Sequence, residues 1–306
     1  MNRLSAALAL VFALLANVAT AAEPSLATQA QTRFIEVNGE RIAYRDFGQG
    51  EPIVLLHRFR ATMSDWDPAF LDPIAAKRRV ILFDNNGVGE SEGSVPSTLE
   101  GAADNAAGLL KALDIPRADI MGWSMGGMTA QIFAIKHPQL VRHLVLMGTT
   151  PAAGSPEVAL VPSGWSDIAS RQTRTDEDLL YLFYTTSPSS MAAGKASLQR
   201  IAQRHQGEEQ VGPLDNLMLM MTQYRAIKGF IQNEDGWYQK LATIKAPTLV
   251  ANGDKDGAFP AINSVVLARE IPNAQLAIYP DSGHAFHFQY PQRFAQDLQA
   301  FLDTPR

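Results

Sequence analysis

Short, nearly unbroken apolar runs recur along the chain at 53–56, 80–83, 118–121, 143–147, 248–251 and 275–279. Runs of this kind are the signature of parallel strands buried on both faces. Between them apolar residues return every three or four positions, which predicts helices at 98–113, 126–137, 261–270 and 291–302, the first opened by Ser97 or Thr98 as N-cap. Ahead of the first run, 33–37 and 41–45 alternate in character around Asn38-Gly39, a dipeptide that favours a two-residue hairpin turn. The pattern predicts an α/β fold, with an opening antiparallel hairpin and then a mostly parallel sheet flanked by helices.

The alternation lapses between 150 and 245. Helical periodicity continues there without buried-strand runs, and the apolar stretches 179–184 and 217–221 are rich in aromatic residues and methionine. We read 150–245 as a helical cap inserted after the strand at 143–147, with the core domain formed by 23–149 and 246–306. A methionine and aromatic stripe of this kind more often packs a core than lines a pocket, but a cap over a site must also present some apolar surface to the pocket.

Residues 1–22 have another character. Arg3, the apolar stretch 4–18 and Ala19-Thr20-Ala21-Ala22 read as a signal peptide cleaved after Ala22, with Ala21 as the alternative. The stretch is shorter than the roughly 20 residues of a membrane span, so no stable membrane anchor is expected after its removal. The 306-residue chain has no cysteine, which excludes disulfides, a lipidated cysteine and a thiol nucleophile. Export without cysteine fits a bacterial periplasmic or secreted protein. Loss of Arg3 leaves 25 basic against 31 acidic side chains, a net charge of −6 with histidine neutral, and argues against a nucleic-acid partner.

Candidate chemistry starts at Gly122-Trp123-Ser124-Met125-Gly126, which joins the run at 118–121 to the helix at 126–137. That is the strand-turn-helix context of a nucleophile elbow. Chance alone places G-x-S-x-G in a chain of this length about 0.1 times, so the motif needs partners. A serine becomes a useful nucleophile only when a base takes its proton, and the base must be oriented by a carboxylate. Elbow enzymes order these as serine, acid, histidine. Asp256, in the loop after the strand at 248–251, is the candidate acid, with Asp254 in reserve. His284, after Gly283 and the strand at 275–279, is the candidate base, with His287 as competitor. His57, His137, His143 and His205 are read as structural. The oxyanion formed at an attacked carbonyl needs two fixed N–H donors. One is the backbone amide of Met125 at the start of the helix. The other comes from His57-Arg58-Phe59-Arg60, with Phe59 preferred and Arg58 the alternate. Arg58 and Trp123 are the candidate substrate contacts.

Leu55-Leu56-His57, Trp66, the segment 83–91, the elbow, Gly253-x-x-Asp256-x-x-x-Pro260 and Gly283-His284 together resemble the α/β-hydrolase superfamily across nearly all of the chain beyond the leader. The resemblance implies a sheet of about eight strands, a cap after the sixth strand, the triad Ser124, Asp256 and His284, and hydrolysis without a metal or organic cofactor. Ser124 argues against the dehalogenases and epoxide hydrolases of similar fold, which carry aspartate there. Two departures stand out: Arg58 where such proteins usually have glycine, and Asn86 where they usually have arginine. An outward arginine in a salt bridge is the plain expectation for Arg58. The sharper one is that Arg58 or Arg60 meets an anionic or strongly polar part of the substrate. The expected activity is cleavage of a small, largely apolar ester or lactone through an acyl-enzyme. Perhydrolysis, carbon–carbon bond hydrolysis or lyase action on the same triad are the alternatives within enzymes, and a non-catalytic ligand-binding receptor is the alternative outside them.

Overall fold

The computed structural model describes residues 25–205 and 217–304. The expected signal peptide at 1–22 lies outside the described residues. Eight strands form one sheet: β1 (Arg33–Val37), β2 (Glu40–Phe47), β3 (Pro52–Leu56), β4 (Arg79–Phe83), β5 (Ala118–Trp123), β6 (Val141–Met147), β7 (Thr248–Gly253) and β8 (Ala274–Tyr279). Their order across the sheet is β1-β2-β4-β3-β5-β6-β7-β8, antiparallel at β1/β2 and β2/β4 and parallel from β4 onward.

Each apolar run became a strand, and the physical reason is burial on both faces. Every residue of β5 and β7 is buried, and the sheet is covered by the apolar stripes of helices Leu99–Ala112 and Pro291–Leu302 and by helix Met125–Lys136, which is itself buried nearly all round. β8 departs from the expectation of two buried faces. As the last strand of the sheet it leaves Leu276 41% and Ile278 36% exposed. The opening hairpin turns at Asn38 and Gly39, both at positive φ (54° and 86°), as a primed two-residue turn requires.

Helices Ser163–Ala169, Asp176–Phe183, Pro188–His205, Leu217–Ile231 and Trp237–Lys240 lie between β6 and β7. None of the described helices is long and apolar enough to cross a membrane. Several arginine contacts fasten this helical region to the core, two of them largely buried on the core side. Arg200 grips the fully buried Asp67 carboxylate at 2.6 and 2.8 Å, and the Arg60 guanidinium donates to the carbonyls of Ala169, Arg171 and Gln172 at 3.3, 2.6 and 2.7 Å. Arg60 is thus spent on the cap backbone rather than on a substrate. Replacing it with methionine leaves three carbonyls short of a donor, and chemical denaturation should show a loss of about 1–2 kcal/mol.

Candidate active site

β5 ends at Trp123 and the next helix begins at Met125, so Ser124 alone makes the turn. It sits at φ 59° and ψ −119°, a conformation strained for any residue with a Cβ. The flanking glycines make the turn possible. A Cβ on Gly122 would stand 2.1 Å from the carbonyl oxygen of Gly126, and one on Gly126 would stand 2.1 Å from that of Leu56. The Ser124 carbonyl is held by the amides of Gly127 and Met128 and by the Thr149 hydroxyl. Its own hydroxyl makes no capping bond to the helix and remains available for chemistry.

The acid and the base arrive from the adjacent strand ends. Asp256, just past β7, receives the amides of Ala258 and Phe259 on Oδ1 at 2.7 and 3.0 Å, while Oδ2 stands 2.8 Å from His284 Nδ1. The carboxylate accepts the Nδ1 proton, which leaves the Nε2 lone pair as the ring's basic position. Both residues are buried, and Ser124 and His284 line the same recess. Asp254 instead accepts the Ser282 amide, and Lys255 pairs with Asp281.

His287 takes no part in this line of contacts. It is fully buried among Trp66, Phe70, Trp123 and Phe288, and neither ring nitrogen has a hydrogen-bond partner. Burial, then the nearby His284 and Arg58, hold its pKa well below the usual 6.5. His57 is structural in a definite way: its Nδ1 accepts the Trp66 indole N–H at 2.7 Å and its Nε2 donates to the Phe83 carbonyl. A neutral ring satisfies both bonds and a protonated one breaks the first. Desolvation lowers its pKa to about 4. His137 and His143 bond Asp104 and Asp119 far from Ser124, while the side chain of His205 falls outside the described residues.

Two sequence expectations need correction. Trp123 lines neither part of the cavity. It is 2% exposed, donates from Nε1 to the His284 carbonyl at 3.0 Å and packs on Phe183 and His287, so it supports the histidine loop. Arg58 does form a salt bridge, to Asp65 at 3.3 Å, but it points inward and is buried. Its guanidinium lies 4.9 Å from the Phe183 ring centre and 5.5 Å from that of Trp123.

Ser124 opens on one side to an apolar cavity of about 270 Å³ walled by Met125, Trp165, Tyr224, Ile227 and Phe259. On the other side lies a narrow recess that Arg58, Arg174, Phe183 and His284 border. Phe59 borders both. As the first residue of its helix, Met125 has an amide with no acceptor within the helix, and the positive end of the helix dipole lies there. Sequence reading missed Phe183 and Trp165. Phe183 lies parallel to the His284 ring (14°, centres 6.0 Å apart), and its carbonyl accepts the Ala285 amide at 2.9 Å. Trp165 meets His284 edge-on. Both belong to the cap, where local periodicity gives no sign of which apolar residue faces the core.

Residues 51–291 match the sequence profile of the family described as alpha/beta hydrolase fold. The chain belongs to the alpha/beta-hydrolase family. Among its relatives, a 2-hydroxy-6-oxononadienedioate/2-hydroxy-6-oxononatrienedioate hydrolase of Paraburkholderia xenovorans is 30% identical over 94% of this chain and 98% of its own. The proline iminopeptidase PfmaB of Pestalotiopsis fici is 29% identical over 88% of this chain and 99% of its own. Among solved structures, an alpha/beta hydrolase fold protein from Chitinophaga pinensis superposes with a TM-score of 0.78 at 28% identity, covering 91% of this chain and 99% of the other. These likenesses make the protein a hydrolase.

Proposed function

We propose that this hydrolase cleaves a carboxylic ester or lactone of a small, largely apolar substrate through an acyl-enzyme. Ser124 Oγ attacks the carbonyl as His284 Nε2 takes its proton, and the amides of Met125 and Phe59 receive the oxyanion. His284 then gives the proton to the departing alcohol oxygen. Water, deprotonated by the same ring, attacks the acyl carbon and frees Ser124. Asp256 holds the ring's tautomer and steadies its charge throughout. The observation that carries this reading is the 2.8 Å Asp256–His284 contact beside a strained serine in one shared cavity.

The cavity lining also speaks against a peptide substrate with a free amino terminus. None of the described residues lining it is a carboxylate that would pair with an ammonium group. Hydrolysis of a carbon–carbon bond beside a ketone on the same residues is the second reading. It is favoured by the likeness to the 2-hydroxy-6-oxononadienedioate hydrolase, whose named substrate carries a ketone rather than an ester.

A fluorophosphonate probe followed by peptide mass analysis should place one adduct on Ser124, and Ser124→Ala should abolish it. An unlabelled wild-type protein would leave a binding role instead. A panel of aryl esters, lactones, anilides and vinylogous 1,5-diketones then decides the bond, with the largest kcat/KM expected on the esters or lactones. Faster turnover of the diketones would transfer the conclusion to the second reading.

A further inference from the structure

We propose that the substrate carries a carboxylate close to its scissile carbonyl and that the Arg58 guanidinium receives it. This rests on the reading of the Ser124 cavity as the substrate site, and it names the class of substrate.

The protein as a whole is acidic, with a formal net charge of −5. Its cavity has the opposite character. Among the described residues lining the apolar cavity and the recess, the lysine and arginine side chains are Arg58, Arg174 and Lys228, and no lining residue is acidic. A surface poor in net positive charge that concentrates its cations around one serine is built to attract and hold an anion.

Arg58 borders the recess together with Ser124 and His284, and its buried guanidinium has an incomplete set of protein acceptors. Of its five N–H groups, Nη1 supplies the carbonyls of Phe59 (3.1 Å) and Arg60 (3.3 Å), and Nη2 supplies Asp65 Oδ1 at 3.3 Å. Nε has no acceptor, and one Nη2 hydrogen is unused. The Asp65 carboxylate is shared, because its Oδ2 is taken by the amide and hydroxyl of Thr62 at 2.7 and 3.0 Å. A cation taken out of water with one long, shared counter-ion has desolvation left uncompensated, and an incoming carboxylate supplies the missing acceptor. The faces of Phe183 and Trp123 fix the guanidinium plane beforehand, so little side-chain freedom is lost on binding. Arg58 and Ser124 both border the recess, and Ser124 also borders the large cavity, so the substrate's apolar portion occupies the cavity while its anionic end must widen the recess, whose free volume of about 10 Å³ admits only a water-sized group, to reach Arg58.

The test compares the mono-4-nitrophenyl ester of glutaric acid with methyl 4-nitrophenyl glutarate, which differs by masking the carboxylate. Wild type should favour the anionic ester by tenfold or more in kcat/KM, and Arg58→Met should cut that ratio at least tenfold, with Arg58→Lys between. A ratio that Arg58→Met leaves unchanged, or a wild type that favours the neutral ester, overturns the proposal. Should Arg58→Met fail to fold, calorimetry on Ser124→Ala protein decides, with 4-phenylbutyrate set against 4-phenylbutyramide. Binding of the carboxylate at least tenfold tighter, weakening as salt rises, supports the anion site. Equal binding, or no measurable binding of either, overturns it. Failure of both esters together with no fluorophosphonate adduct refutes the hydrolase reading alone, because the calorimetric comparison requires no turnover.

Discussion

Ser124→Ala, His284→Ala and the double variant are expected to fall to one common floor, with kcat on an activated ester lower by about 10⁴-fold or more. The expectation follows from the division of labour proposed for the site. Without His284 the Ser124 hydroxyl keeps its proton, and without Ser124 the imidazole has no nucleophile to activate, so the second loss removes nothing that the first has left working. In the proposed mechanism the residual rate comes from the Met125 and Phe59 amides and from binding in the apolar cavity, which neither substitution touches. Asp256→Asn should come close to the same floor. The amide nitrogen would donate toward Nδ1 and turn the ring to the tautomer that cannot accept the Ser124 proton. Steady-state kinetics on the four variants, each with thermal unfolding to establish an intact fold, makes the check. Losses that multiply in the double variant would mean that Ser124 and His284 act independently, and would sink the mechanism.

These residues were legible in the sequence because each is bound to a local signal. Ser124 is marked by two glycines that the backbone of Leu56 and Gly126 leaves no choice about, and Asp256 and His284 follow directly on apolar runs that end at the same edge of a parallel sheet. Six of the eight strands were legible as unbroken apolar runs, the mark of burial on two faces, and β1 and β2 by their alternation on either side of Asn38-Gly39. Where that reason fails, the reading fails with it, as at β8, whose run looks like the others although its edge position exposes Leu276 and Ile278. The surroundings of the site were legible only in outline. Trp123 adjoins the nucleophile in sequence, but β5 turns its ring beneath the histidine loop rather than into the cavity. Arg58 and Arg60 stand two apart, and one borders Ser124 while the other is drawn to carbonyls more than a hundred residues away. Phe183 and Trp165 reach His284 from the cap, and no spacing rule connects residues so distant along the chain.

His287→Phe is expected to stabilise the fold, and to do so more at pH 5 than at pH 7.5. The ring it replaces is fully buried among aromatic side chains with both nitrogens lacking partners, so a hydrocarbon ring in its place removes an unmet hydrogen-bonding demand. At pH 7.5 part of that gain is offset by the added volume, and the net effect should be about 1 kcal/mol. The pH dependence is sharper. The folded pKa of His287 is held well below 6.5, first by burial and then by His284 and Arg58. As pH drops below 6.5 the unfolded chain therefore gains a proton that the folded one does not, and wild type loses stability by about 1.4 kcal/mol per pH unit until the folded pKa is reached. Phenylalanine has no such proton, so the variant's advantage should grow by about 2 kcal/mol between pH 7.5 and 5. Other buried groups also titrate. His57, near 4, acts in the same direction, whereas Asp84, raised by burial to about 7, gains its proton earlier in the folded state and acts in the opposite one. Both are present in wild type and variant alike and cancel in the difference. Urea unfolding of the two proteins at each pH measures it directly. A stability difference that stays constant across that range would show that His287 is protonated as readily in the folded protein as in the unfolded chain, a result its aromatic enclosure does not permit.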